Sequence, residues 1–201
     1  MTGPPHRLVS RRLELRGLTS ADWEQWSRVR ERSRDWLERW EPLRAAGTLD
    51  PARDRGAFTS RCAARERERQ LGTGYAFGLF LHDGRFLGEI NINNVLRSAF
   101  MSAHVGYWVD ESHAGKGYIP EGLVRVFSFA FEHAKLHRLQ ISIIPRNVPS
   151  RRVVEKLEIR DEGTALRYLL INGVWEDHIR YAITAEEWAE RGPGLMRRFV
   201  D

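Results

Sequence analysis

Apolar residues recur along this chain with two different periods. Alternation of apolar and charged residues, typical of a half-exposed strand, marks residues 12–16, and strand-like runs return from Tyr75 onward. Helical spacing marks residues 23–40, residues 50–69 and a long stretch after Pro120. These periods predict one mixed α/β unit in the order β-α-α-β-β-β-α-β-α-β-β.

Two turn dipeptides predict hairpins in the strand-rich region. Asp83-Gly84 follows the apolar run 75–81, and Asn172-Gly173 follows the run 166–171. Both dipeptides supply the positive φ angles that tight hairpin turns require, so each joins two antiparallel strands. The strands predicted outside the hairpins include residues 102–109 and 139–144.

Length and composition are those of a soluble single-domain protein. The 201 residues suffice for one sizeable core, and 42% hydrophobic with 29% charged residues excludes a disordered chain, a collagen-like repeat and a membrane bundle. No apolar run approaches the roughly 18 residues that cross a bilayer, and the chain start lacks the apolar stretch of a secretory signal. We therefore expect a cytoplasmic protein with a flexible tail at 1–10, one domain at 11–190 and a C-terminal tail at 191–201.

The charge balance points to a phosphate-bearing partner without choosing one. Lys and Arg total 32 against 27 Asp and Glu, a net charge of +5. A nucleic acid, a nucleotide-like cofactor and ribosomal RNA all fit this charge. Arg and Glu alternate through residues 61–69, which favours a solvated helix surface over a nucleic-acid contact. The single cysteine, Cys62, excludes an internal disulfide, and no residue spacing is typical of a metal site.

The segment from residue 106 to residue 131 contains the strongest chemical motif. A strand leads into Gly115-Lys116-Gly117, and a helix follows. Glycine lets a ligand approach the backbone closely, and the free N–H groups at a helix start bind anions. We expect a phosphate or pyrophosphate there, although an ordinary strand-to-helix turn is the alternative. The spacing matches neither the nucleotide triphosphatase loop nor the dinucleotide fingerprint.

The residues around this loop resemble a known motif. Gly-Tyr-Trp-Val-Asp at 106–110, Gly-Lys-Gly-Tyr at 115–118 and Pro-Glu-Gly at 120–122 are similar to the acetyl-coenzyme A motif of the GNAT N-acetyltransferases. Within this family the match is to the RimJ/RimL group, which acetylates the N-termini of ribosomal proteins, and it spans about residues 11–187. The resemblance implies an α/β GNAT fold: a mixed, mostly antiparallel central sheet, splayed between the fourth and fifth predicted strands and flanked by helices.

The resemblance also implies how acetyl-CoA is held. The backbone of Trp108 and Val109 would pair with the pantetheine arm, and Asn147 would also contact it. The N–H groups of one loop would hold the pyrophosphate: His113, Ala114, Gly115, Lys116, Gly117 and Tyr118. Two positions depart from the family pattern. Ser112 stands where Gln or Arg often begins the loop, and Glu158-Ile159 replaces the usual Gly-Phe, which removes a helix-ending glycine.

Three residues are candidates for catalysis by direct attack in a ternary complex, which the resemblance implies. Such a reaction needs a base for the amine and a proton source for the thiolate. Glu89 is the first candidate base, because alternation places it on a polar strand face, and a solvated carboxylate is the alternative. His104 is the second, with a hydrogen-bonded structural role as its alternative. Ser150 is the candidate acid near the sulfur, or else a helix-start residue that satisfies a backbone N–H.

The predicted activity is acetyl transfer to a primary amine, with the N-terminal amine of a ribosomal protein as the preferred acceptor. A small-molecule amine is the alternative substrate, and a non-catalytic acetyl-CoA-binding or RNA-binding module is the alternative function. We expect acetyl-CoA as the co-substrate, no metal, no membrane contact and no direct nucleic-acid contact. Both a monomer and a homodimer are compatible with the sequence.

Overall fold

The computed structural model describes residues 7–201, which form one eight-stranded sheet with helices on both faces. The strands are β1 (Arg7–Val9), β2 (Leu13–Arg16), β3 (Tyr75–Leu81), β4 (Phe86–Leu96), β5 (Ser102–Val109), β6 (Arg138–Ile143), β7 (Arg160–Ile171) and β8 (Val174–Thr184). The helices are α1 (Trp23–Arg32), α2 (Arg34–Glu38), α3 (Arg55–Leu71), α4 (Tyr118–Ser128), α5 (Val148–Lys156) and α6 (Ala185–Phe199). A π-helical turn at Phe129–His133 extends α4. None of the helices within residues 7–201 is long and apolar enough to cross a membrane.

The spatial order of the strands is β1-β2-β3-β4-β5-β6-β8-β7. Every neighbouring pair is antiparallel except β5 and β6, which are parallel. Ser102 to His104 pair with Arg138 to Gln140, and no residue of β5 beyond His104 pairs with β6. The sheet therefore splits at this point, which confirms the splayed, mostly antiparallel GNAT sheet predicted from the sequence.

Alternation along β4 sends its side chains to two different helical layers. Ile90 packs on α4, where a Cβ added at Gly122 would lie 2.8 Å from its Cδ1. Glu89 points to the opposite face and bonds to residues of α1 and α3. The main core lies on the α4 side and includes the fully buried Leu123 and Phe127. This arrangement leaves the polar face of β4 beneath α1 and α3.

Both predicted tails are partly wrong. Arg7–Val9 forms β1, and Leu8 is fully buried, while residues 1–6 of the predicted N-terminal tail lie outside the described residues. The C-terminal segment 191–201 continues α6 to Phe199 despite its Gly-Pro-Gly sequence. Trp188 is buried in the main core, and Leu195 and Met196, at helical spacing from it, pack against that core. Burial of this apolar face therefore outweighs the low helix propensity of Gly and Pro.

The end of α5 shows the physical effect of the missing glycine. Glu158 has φ +54°, the left-handed conformation that glycine adopts without strain. Its N–H donates to Glu155 O, and the Ile159 N–H donates to Val154 O at 2.9 Å, the hydrogen-bond pattern of a Schellman motif. A glutamate therefore occupies a helix-ending position that favours glycine.

Replacing Glu158 with glycine should stabilise the protein. Relief of left-handed strain is worth about 1–2 kcal/mol, and the greater entropy of glycine in the unfolded chain offsets about 0.4–1 kcal/mol of this gain. We expect Glu158→Gly to raise the free energy of unfolding by about 0.5–1 kcal/mol in urea titrations. Glu158→Ala keeps the Cβ and serves as the control, so an equal rise in both variants would contradict the explanation.

Candidate active site

The loop between β5 and α4 presents a cluster of free backbone donors. Gly115 and Gly117 have φ +75° and +80°, and α4 begins directly afterwards at Tyr118. Within the described chain, the N–H groups of the four residues from Gly115 to Tyr118 have no hydrogen-bond partner. The N–H groups of His113 and Ala114 donate instead to Asp110 O and Glu111 O. The N–H groups without a partner, which are the ones free to bind an anion, therefore lie at the start of α4.

Arg12 connects this loop to the edge of the sheet. Its guanidinium lies 4.6 Å from the centre of the Tyr118 ring and donates to Lys116 O at 3.1 Å. Its Nε bonds to Glu121 Oε2 at 2.6 Å, and Glu121 is buried in the first turn of α4. Arg12, on the loop preceding β2, therefore holds the helix start and adds positive charge beside the free N–H groups.

Asp110 fastens the other end of the loop to α1. Its buried carboxylate accepts hydrogen bonds from Arg32, Ser33, Ser112 and His113, including 2.8 Å contacts to Ser33 Oγ and His113 Nδ1. Burial alone raises the pKa of Asp110, but these hydrogen bonds outweigh burial and hold its pKa well below the ordinary value. Asp110 therefore remains ionised and fixes the position of His113. The sequence did not predict this network, because Arg32 and Ser33 lie 78 and 77 residues away from Asp110 along the chain.

Asp110→Asn should destabilise the protein in a pH-dependent way. The folded pKa of Asp110 is depressed, so its contribution is present above the ordinary value of 3.8 and is lost as the pH falls towards the folded value. We expect the variant to lose about 1–3 kcal/mol of unfolding free energy at pH 7, and we expect this difference from the wild type to shrink only as the pH falls from 3.8 towards the folded pKa.

Urea titrations at several pH values measure this difference. Asp35→Asn is a matched control, because Asp35 is exposed and its carboxylate accepts no hydrogen bond among residues 7–201. A difference between wild type and Asp110→Asn that stays constant from pH 7 to pH 3 would rule out the ionised network as its cause.

Ser150 lies at the split in the sheet and contacts β5. Its Oγ donates to the Tyr107 hydroxyl at 2.9 Å, and that hydroxyl donates to Ser150 O at 3.0 Å. Burial raises the pKa of Tyr107, so the phenol keeps its proton. Asn147 caps α5 by accepting the Ser150 N–H at 3.2 Å. The alternative role of Ser150 as a cap is therefore wrong, because its own N–H is the capped group.

Glu89 is buried, and each of its carboxylate oxygens accepts a hydrogen bond. Its side chain is only 1% exposed, which excludes the solvated-carboxylate alternative. Trp26 Nε1 donates to Oε1 at 2.6 Å, and Arg61 donates to Oε2 at 2.6 Å. Because both oxygens already accept hydrogen bonds, the geometry favours a structural link between β4, α1 and α3 over proton transfer.

His104 occupies the last paired position before the split. It lies opposite Asn93 on β4 and opposite Gln140 on β6. Burial, and secondarily the positive charge of Arg138, lower the pKa of His104, so its ring is neutral at pH 7. Neither ring nitrogen has a hydrogen-bond partner among the described residues, so the geometry does not support the structural alternative. A neutral, unengaged imidazole beside the gap can accept a proton.

Two negative observations limit the chemistry of the described chain. Burial raises the pKa of the Cys62 thiol to about 11, so this cysteine is protonated at pH 7 and is a poor nucleophile. No group of three or more His, Cys, Asp or Glu side chains within residues 7–201 is arranged to hold a metal ion.

Comparison with known proteins places this geometry in a family. The family model described as an acetyltransferase (GNAT) domain matches residues 12–160. The chain is 33% identical over 177 residues to Bacillus subtilis (strain 168) YjcK, named a probable N-acetyltransferase, and the match covers 88% of this chain and 96% of YjcK. It is 29% identical over 186 residues to the ribosomal protein uS5-alanine N-acetyltransferase of Escherichia coli (strain K12), covering 92% and 94% of the two chains.

A solved structure of a RimJ protein is also similar to this chain over nearly its whole length. Mycobacterium smegmatis RimJ in complex with CoA-disulfide superposes with a TM-score of 0.87 and is 33% identical, and the match covers 97% of this chain and 94% of that one. The family match contains the split between β5 and β6 and the whole of the glycine loop. The chain therefore belongs to the GNAT acetyltransferase family and is an N-acetyltransferase of the RimJ/RimL type.

Proposed function

We propose that the protein transfers acetyl from acetyl-CoA to the N-terminal amine of a ribosomal protein, by direct attack in a ternary complex. The main support is the split between β5 and β6, which runs from His104 towards a loop of free N–H donors. The similarity to RimJ from Mycobacterium smegmatis and to the uS5-alanine acetyltransferase over nearly the whole chain supports the acceptor class. Such a reaction belongs in the cytoplasm, where ribosomes are assembled.

The residues present fit acetyl-CoA at both ends of the gap. The unpaired edge of β5, from Val105 to Val109, can bind an extended pantetheine arm as an added strand. At its far end, the free N–H groups from Gly115 to Tyr118 suit a pyrophosphate, and a Cβ at Gly115 would meet no atom within 4 Å, so the approach is open. Acetyl-CoA, when bound, supplies a thioester that is activated towards amines.

The chain supplies the proton transfers around that thioester. We assign His104, which is neutral at pH 7, as the group that accepts the proton of the attacking amine. We assign Ser150 Oγ as the group that donates a proton to the departing sulfur; its hydroxyl proton, which is directed at the Tyr107 oxygen in the free protein, then turns to the sulfur. Because the Cys62 thiol is buried and protonated, direct attack is favoured over a covalent acyl-enzyme.

Ser150→Ala should lower kcat much more than it lowers the affinity for acetyl-CoA. Loss of a general acid costs about 100-fold or more in kcat. Steady-state kinetics with isothermal titration of acetyl-CoA separates the two effects. Tyr107→Phe keeps the Ser150 hydroxyl and removes only its partner, so a smaller loss of kcat is expected. Equal losses in kcat and in acetyl-CoA affinity for Ser150→Ala would contradict the role of Ser150 as acid.

Two matched variants distinguish the candidate bases. His104→Gln should lower kcat about 100-fold and remove the low-pH fall in kcat/KM that protonation of His104 causes in the wild type. Because the pKa of His104 is lowered, that fall should begin at a lower pH than for an ordinary histidine. Glu89→Gln should lose about 1–3 kcal/mol of stability and keep most of its kcat. A larger loss of kcat in Glu89→Gln than in His104→Gln would identify Glu89 as the base and contradict the assignment of His104.

The acceptor class is tested by competition. The protein is incubated with labelled acetyl-CoA, dissociated ribosomal proteins and a panel of small amines together, and mass spectrometry identifies the labelled products. We expect label on the N-terminal residue of one or a few ribosomal proteins. Label on small amines alone would contradict the proposed acceptor, and binding of acetyl-CoA without any labelled product would support the non-catalytic module.

A further inference from the structure

Three polar residues and one glycine form a row across the sheet at the level of the split, which we call the polar row. Asn91 on β4 lies opposite Gly106 on β5, and Ser142 on β6 lies opposite Arg180 on β8. Gly106 and Ser142 each lie two positions beyond the last paired residues of their strands, His104 and Gln140. Since side chains two positions apart share a face, all four positions face the same side of the sheet. The row therefore crosses the gap just beyond the point where β5 and β6 separate.

The centre of this row is open. Gly106 has no side chain, and a Cβ built there would find only one atom within 4 Å, Asn93 Nδ2 at 4.0 Å. The neighbouring position on the same strand face is His104, the proposed base. A substrate nitrogen lying over Gly106 would therefore be next to both the gap and the imidazole.

The two ends of the row carry buried polar atoms without partners. Asn91 Oδ1 and Arg180 Nε are both inaccessible to solvent, and neither has a hydrogen bond within the described chain. Arg180 also has no ion pair among residues 7–201. A buried polar atom without a partner costs about 1–3 kcal/mol, so most such atoms in proteins are paired. Asn91 Oδ1 lacks a donor and Arg180 Nε lacks an acceptor, and one substrate can supply both partners once the two side chains turn towards the gap.

We propose that Asn91 and Arg180 select an acceptor with a free α-amine followed by a peptide carbonyl; this rests on the proposed function. Asn91 Oδ1 accepts an N–H of the attacking amine, and Arg180 donates to the carbonyl oxygen of the first or second residue. The Cα atoms of the two residues are separated by three strand spacings, roughly 14 Å or more. The proposal therefore requires the long Arg180 side chain to lean towards β5, so that an extended dipeptide, about 7 Å long, can bridge the remaining distance.

Other amines satisfy only one end of the row. The ε-amine of a lysine is separated from its nearest carbonyl by four methylene groups and the Cα. A simple alkylamine has no carbonyl at all. Arg180 would then remain without a partner, so the discrimination comes from a buried donor that only the correct acceptor satisfies.

Three acceptors test the proposal. The first is a six-residue peptide with a free N-terminal alanine, and the second is the same peptide with a blocked N-terminus and one lysine. The third is isopropylamine, which keeps the alanine amine, Cα and methyl group but lacks the carbonyl. We expect the wild type to prefer the first peptide in kcat/KM over both other acceptors.

The variants separate the two ends of the row. Arg180→Met should lower kcat/KM for the free peptide about 10- to 100-fold and change that for isopropylamine less than about threefold. Arg180→Lys, which keeps a donor, should lie between wild type and Arg180→Met. Asn91→Leu should lower kcat/KM for both substrates, because both present an amine, whereas Asn91→Asp keeps an acceptor oxygen and should retain most of the activity. The rise in Tm on adding acetyl-CoA verifies that each variant is folded.

Several results would overturn the proposal. If Arg180→Met leaves kcat/KM unchanged for both substrates, or lowers it equally for both, Arg180 has no part in acceptor selection. If Asn91→Asp and Asn91→Leu lower kcat/KM equally, Asn91 does not act as the acceptor for the substrate amine. If the wild type acetylates all three acceptors equally well, the inference fails and the acetyltransferase function stands. If it binds acetyl-CoA and acetylates none of the three acceptors and no ribosomal protein, the proposed function fails with it.

Discussion

The hydrogen bonds between β5 and β6 end after His104, and the arrangement of the site depends on that interruption. Each strand is held by its other neighbour: β5 pairs with β4 as far as Val109, and β6 pairs with β8 along its whole length. The sheet can therefore open without losing either strand. The contact between Tyr107 and Ser150 bridges the opening. The proposed base, the proposed acid and the anion-binding loop all lie along this one gap.

Many of the arginines form ion pairs with carboxylates of the same chain. Arg65 pairs with Glu68 and Arg69 pairs with Glu66 on the surface of α3, as the alternating charges predicted. Arg32 and Arg61 reach across the fold to the buried carboxylates of Asp110 and Glu89. The charge that first pointed to a phosphate-bearing partner therefore includes many structural ion pairs. Arg12 and Lys116 lie beside the free N–H groups, where the pyrophosphate is proposed to bind.

The sequence predicted those parts of the fold that depend on local patterns. Alternation and turn dipeptides located both hairpins and every strand except β1, and the two glycines located the loop before α4, because local residue types determine these features. The burial of Glu89 was not predictable, because Trp26 and Arg61 lie 63 and 28 residues away along the chain. The hydrogen bonds from Arg32 and Ser33 to Asp110 were not predictable for the same reason. The continuation of α6 beyond residue 190 was missed because tertiary packing overrode the tendency of Gly and Pro to break helices.

The binding of the pyrophosphate at the start of α4 is the central claim, and amide hydrogen exchange tests it most directly. Residue-resolved exchange is measured with and without acetyl-CoA. We predict that the amides from Gly115 to Tyr118 gain strong protection, because they have no partner in the free protein. The amides of His113 and Ala114, which already donate to the backbone, should change little. Protection confined to other parts of the chain, with no change from Gly115 to Tyr118, would contradict the account.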